Sequence, residues 1–276
     1  MLRYVRYVLA IAILIYLTHG FLPTKEMCSN NKCYTLPNTV STDLSPLSRS
    51  SFKPLPEVVL GPGGVAGFYS LGICHYVLNH FEIRDKSTVG FSAGSFTLLF
   101  MRIQPEKRNA MLQILFEYNE TDTILVMKRL METLEATTTL QDYELNSASI
   151  AVSHTDGIAL YDSFLNVEQL IRCCKSSSFI PFVTHESGMD FYNHKMAMDG
   201  FFYYNTFLNQ YRNPPLVITP FMFGRYSNSM YNKLLFLLGC HPLKTTSIYQ
   251  MYLYGYQDAK QNHSHFEKYL KPLPTV

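Results

Sequence analysis

Three short stretches of this 276-residue chain carry residue types that together could perform nucleophilic chemistry. Gly90-Phe91-Ser92-Ala93-Gly94 is a G-x-S-x-G pentapeptide. Small residues at both of its ends relieve the crowding of a sharp strand-to-helix turn, which leaves the serine hydroxyl exposed at a helix N-terminus. Upstream, Gly61-Pro62-Gly63-Gly64 closes the apolar run Val58-Val59-Leu60. At a turn of this kind free backbone N–H groups and the positive end of a helix dipole converge, which makes an anion site. Downstream, Asp199-Gly200 lies between Met196-Ala197-Met198 and Phe201-Phe202. Apolar neighbours raise a carboxyl above its reference pKa near ~3.9, towards that of a base for neutral chemistry. Nucleophile, proton acceptor and oxyanion donors are the parts that acyl transfer requires.

Each part also has a plainer reading. G-x-S-x-G arises by chance, and Asp-Gly is a common turn. The glycine turn could be a phosphate loop, but the Lys-Ser/Thr ending of a nucleotide P-loop is missing and the Rossmann fingerprint is imperfect. The secondary structure around the three stretches sharpens the case. Val58–Leu60 reads as a strand, and Leu71, Cys74, Leu78 and Phe81 recur as one stripe of a helix starting near Gly67. Val89 before Ser92 and the apolar Phe96, Leu98, Leu99, Phe100 and Met101 after it suit strand, turn and helix. A single helix between the two turns can set two parallel strands side by side, with both turns at one edge of the sheet. Phe191 to Lys195 reads as a strand or tight turn leading into Asp199. The expected fold is α/β: a three-layer α/β/α domain with a central, mostly parallel sheet and its crevice at the C-terminal strand ends.

Taken in order, these motifs resemble the patatin-like phospholipase family. Its marks are a Gly-rich turn ahead of a helix, G-x-S-x-G, and a later Asp-Gly. Here they stand at Gly63-Gly64-Val65-Ala66-Gly67, Gly90–Gly94 and Asp199-Gly200. Ser176-Ser177-Ser178-Phe179-Ile180-Pro181-Phe182 is similar to the family's Ser-rich segment ending in Ile-Pro, and Pro215 to Pro220 to the strand that follows. The resemblance covers roughly Glu57 to Ala259. It implies a serine lipid acyl hydrolase of phospholipase A or acylglycerol lipase type, working through an acyl-enzyme. Ser92 would be the nucleophile, Asp199 the proton acceptor, and the Gly63 and Gly64 N–H groups the oxyanion donors. Gly67, Gly90, Gly94 and Gly200 would support the motifs. The substrate implied is a phospholipid or acylglycerol at a membrane or lipid-droplet surface, with no cofactor and no metal. Two departures stand out. Pro62 replaces a frequent Gly and removes a donor, and Ala66 replaces the Arg or Lys of many plant and bacterial members. In this the turn is more like the animal triglyceride-lipase branch.

Two other readings compete. A Ser-His-Asp esterase of the α/β-hydrolase type would run Ser, Asp, His along the chain, calling on His241, His263 or His265 as its histidine. A catalytically impaired lipid- or partner-binding module is the second, motivated by Pro62.

Composition narrows the class further. Charged residues are 16% of the chain against about 25% in typical soluble domains. With 20 Tyr, 19 Phe and no Trp, the balance leans towards an apolar interface or a well-filled core. A net charge of +2 without a basic stripe argues against nucleic acid. Among the six cysteines no C-x-x-C and no Cys/His cluster has zinc spacing. Cys28 and Cys33 could pair in a luminal stretch, and Cys74, Cys173, Cys174 and Cys240 read as buried thiols.

Residues 1–22 read as a signal peptide or signal-anchor, since Arg3 and Arg6 precede the apolar run Tyr7 to Leu17. That implies the secretory pathway or membrane association, and sequons at Asn119 and Asn262 are compatible with it. Residues 23–56 read as a Pro/Ser/Thr-rich linker, 57–270 as the acyl hydrolase domain and 271–276 as a tail. Leu234 to Leu238 suits a buried segment, with interfacial contact as the lesser reading. Ile124, Leu125, Met127, Leu130, Met131 and Leu134 suit a packed helix or a lid. Ile248, Tyr252 and Ala259 suit one more packed helix.

Overall fold

The structure is a computed structural model and describes residues 55–117, 123–181, 183–185, 187–226 and 247–274. The N-terminal apolar run, nearly all of the linker, Cys28, Cys33, Asn119, the Leu234 to Leu238 run, Cys240 and His241 lie outside them.

Four parallel strands form the heart of the sheet: β1 (Val58–Leu60), β3 (Thr88–Phe91), β4 (Ala148–His154) and β8 (Leu216–Ile218). Their apolar runs follow from burial on both faces. A hairpin of β6 (Asp190–Tyr192) and β7 (Lys195–Met198) extends the sheet, with β7 antiparallel to β4, and β5 (Gly157–Tyr161) also pairs antiparallel with β4. The order is β6-β7-β4-β3-β1-β8. The hairpin turns at Asn193 and His194, both left-handed (φ 49 and 63), which matches the primed turns that suit the twist of paired strands. A separate two-stranded pair joins β2 (Phe81–Glu82) to β9 (Lys271–Pro272).

One face of the sheet carries Val58, Leu60, Ile150 and Val152 into the main core. There it meets α1 (Gly67–His80), α2 (Ala93–Arg102), α5 (Val167–Ser177) and α7 (Ile248–Gln261). The opposite face carries Val59, Val89, Phe91 and Ala151 against Tyr204 and Phe207 of α6 (Phe201–Leu208). The result is a mixed α/β fold, a mostly parallel sheet between helices. Two further helices, α3 (Pro105–Glu117) and α4 (Thr123–Thr137), connect α2 to the strand β4. Leu130 and Leu134 of α4 are buried in the main core, so this segment packs as a helix. Ile248, Tyr252 and Ala259 are buried along α7, and α8 (His263–Phe266) follows directly.

The stripe expected on α1 is broader than its spacing suggests. Leu71, Cys74 and Phe81 are buried but Leu78 is only half-buried, while Tyr69, Ile73, Tyr76 and Val77 are also inside. The reason is α7, which lies against α1 at Gly72 and Gly255. A Cβ on Gly72 would sit 2.0 Å from the Tyr252 carbonyl oxygen, and one on Gly255 would sit 1.9 Å from that of Tyr69. Two bare backbones in contact bury a second side of α1.

Candidate active site

Ser92 and Asp199 are brought together by strand register. Ile150 and Ala151 pair with both β3 and β5, and Ser153 and His154 pair with both β5 and β7. Strands β3 and β7 therefore share one edge of β4. Along that edge β3 reaches Phe91 opposite Ala151, and β7 arrives from the other direction with Met198 opposite Ser153. Ser92 and Asp199 are the next residues of each strand, and both fall at the level of Val152. Ser92 Oγ donates a hydrogen bond to Asp199 Oδ2 at 2.6 Å, across a sequence separation of 107.

The elbow is built by its neighbours. Ser92 has φ 53 and ψ −125 at the N-cap position of α2. A non-glycine residue held there costs about 1–3 kcal/mol and persists only where its surroundings fix it. Its hydroxyl caps nothing and is free to point at Asp199. Gly90 is required because a Cβ would lie 2.6 Å from the Gly94 carbonyl oxygen, and Gly94 because one would lie 2.2 Å from that of Leu60. Ser95 ties the turn by donating from its N–H (2.8 Å) and its hydroxyl (2.6 Å) to the Ser92 carbonyl.

The glycine turn lies against this elbow. A Cβ on Gly67 would stand 2.7 Å from the Cβ of Ala93, so the starts of α1 and α2 touch beside Ser92. Gly64 has φ +50 and opens a single 3-10 turn, Gly64–Ala66. Among the described residues, no backbone or side-chain acceptor takes the N–H of Gly63 or Gly64. The starts of two helices thus lie side by side here, and helix N-termini favour an anion. Gly63 itself is hemmed in by Pro220, 2.7 Å from where its Cβ would be. Pro62 is buried and contributes no donor, and Ala66 is buried in the main core.

Asp199 is fully buried. Burial raises its carboxyl to about 7, partly offset by hydrogen bonds from Ser92 and from the Phe201 N–H at 2.8 Å. A proton acceptor that titrates near neutrality is the environment that general-base chemistry requires. The hairpin that delivers it is anchored to α5 through Asp190, which accepts from the Ser176 hydroxyl (2.7 Å) and pairs with Arg172. Gly200 is packed closely, its absent Cβ 3.1 Å from the Ser92 nitrogen.

Sequence reasoning named the dyad and the glycines but gave no role to Ser177, whose Oγ accepts from the Ser92 N–H at 2.9 Å. Its signal was only its place in the Ser-rich segment. Of the histidines of the triad reading, His263 and His265 make no hydrogen bond to Ser92 or Asp199. His263 contacts the Tyr76 hydroxyl at 2.8 Å and lies near Glu267, His265 packs on Phe223, and His241 lies outside the described residues. Among the described residues no histidine is hydrogen-bonded to Ser92 or Asp199, no group of three or more His, Cys, Asp or Glu could hold a metal, and no helix is long and apolar enough to cross a membrane. Cys74, Cys173 and Cys174 are free and buried.

A scan against protein-family models and a search of the curated proteins both return no match. The functional reading therefore rests on the geometry of these side chains.

Proposed function

We propose that this protein is a serine lipid acyl hydrolase of the patatin-like phospholipase or lipase type. The observation that carries the reading is the buried 2.6 Å contact between Ser92 Oγ and Asp199 Oδ2 beside a turn with free amides. In the proposed reaction Ser92 Oγ attacks the ester carbonyl carbon while its proton passes to Asp199. The tetrahedral oxyanion rests on the Gly63 and Gly64 N–H groups. Collapse expels the alcohol portion, which takes the proton from Asp199 and leaves an acyl-serine. Water then gives a proton to Asp199 and attacks the acyl carbon. The fatty acid departs, and the proton returns to Ser92.

The edge of the sheet that holds the site supports a lipid substrate. Val65 and Phe68 after β1, Phe201 and Phe202 after Asp199, and Phe221 and Met222 after β8 are all half-buried there. An acyl chain can cover such apolar side chains, gaining about 25 cal/mol per Å² removed from water. The substrate proposed is a phospholipid or acylglycerol presented at a membrane or lipid-droplet surface. Incubating the purified full chain with a mixed lipid extract should release free fatty acids, and Ser92→Ala should release none while remaining folded. Full turnover by Ser92→Ala, or no release by the unaltered chain, would overturn the assignment.

A further inference from the structure

We infer that Ser177 is the positioning residue that holds the nucleophile in register with its base. The inference rests on the Ser92–Asp199 reading of the site and adds to it a residue that touches neither reacting atom. Ser177 ends α5 and is completely buried. Its hydroxyl hydrogen goes to the Ala151 carbonyl at 2.7 Å, which fixes the rotor and turns a lone pair towards the Ser92 N–H at 2.9 Å. Its own carbonyl accepts from the Gly200 N–H at 2.8 Å. One residue thus grips the backbone of the elbow and the backbone that follows Asp199, and anchors both to β4.

Three features give this grip a catalytic consequence. Ser92 is in a left-handed conformation that α2 does not impose, so its orientation depends on what holds its amide. Gly200 packs closely on the same two groups, since a Cβ there would lie 3.1 Å from the Ser92 nitrogen and 3.3 Å from the Ala151 oxygen. With its N–H committed to Ser177, Ser92 has no backbone donor to spare for an oxyanion, which leaves that task to the glycine turn. Removing the hydroxyl strips partners from two buried backbone groups at once. The elbow then relaxes, the Ser92–Asp199 contact lengthens, and the loss falls on the chemical step.

The test compares the full chain with Ser177→Ala, Ser177→Thr and, as a control, Ser178→Ala, whose hydroxyl is buried without a partner among the described residues. In Ser177→Ala, kcat should fall on the order of 10- to 100-fold with KM unchanged. Amide exchange in a peptide spanning Phe91 to Ser95 should accelerate. Ser177→Thr should restore most of both, and Ser178→Ala should match the unaltered chain in both. Should Ser177→Ala not fold, Ser177→Cys, which keeps the volume but holds an amide weakly, takes its place. Unchanged kcat and unchanged exchange in the hydroxyl-free variant would overturn the inference, as would a lowered melting temperature with full kcat per folded molecule. Absence of turnover by the unaltered chain counts against the hydrolase reading alone, since the exchange measurement still decides what Ser177 holds.

Discussion

A carboxylate that is to accept a proton near pH 7 is normally ionised well below it, so the base role proposed for Asp199 depends on how far burial raises it. Burial places it at about 7 against an ordinary value of 3.8. Hydrolysis should therefore rise with pH through about 7, following the fraction of Asp199 that is ionised. The same shift has a sign for stability. Between about 4 and 7 the folded protein binds a proton that the unfolded chain has released. Stability contributed by this site falls as pH rises through that window, and the penalty is complete above 7, up to about 4 kcal/mol. Asp199→Asn keeps the shape and removes the charge. It should lose about 10²- to 10⁴-fold in hydrolysis yet melt at or above the temperature of the unaltered chain at pH 8. A lower melting temperature for that variant, or a flat rate profile from pH 6 to 8, would count against a base held in an unfavourable environment for function. Apolar neighbours made the raised carboxyl legible in the sequence, and the glycine pattern made the elbow legible. Ser177 was not, because its role lies in a hydrogen bond to a residue 85 positions away, which no local pattern encodes.

Strand register brings the dyad together, and helix packing holds the frame. The meeting of β3 and β7 on one edge of β4 aims two chain ends at the same level of the sheet from opposite directions. The two parallel strands β1 and β3 and the helix between them were readable from apolar runs and glycine breaks. The meeting itself was not, since pairing partners are non-local and β5 carries few sequence signals beyond alternation. The contact of α1 with α7 was equally hidden. A lone glycine inside a helix reads as a weakness in propensity, and only the fold reveals that Gly72 and Gly255 are where two backbones touch. Gly72→Ala or Gly255→Ala would drive a methyl to within about 2 Å of a carbonyl oxygen. Each should destabilise the protein by about 1–3 kcal/mol, as overpacking does, measured by thermal or urea unfolding. Because α1 begins at the glycine turn, activity at temperatures below the transition should fall as well. An unchanged melting temperature would mean that the helices can separate without cost.

Across the whole molecule the parts of the proposed active site gather at one end. The glycine turn, the elbow and the Asp-Gly turn all sit at the strand ends that open the crevice of a parallel α/β sheet. His263 meets Tyr76, about 14 Å along α1 from its first turn by helix rise, which sets His263 well away from the proposed site. In the proposed function Ser92 is a nucleophile made reactive by Asp199. The direct measurement is labelling of the purified full chain by a serine-directed fluorophosphonate, with the adduct located by peptide mass spectrometry. A single adduct on Ser92 is expected, forming faster as pH rises through about 7 and lost in Asp199→Asn. An unlabelled chain, an adduct on another serine, or labelling of Ser92 that survives Asp199→Asn would contradict it.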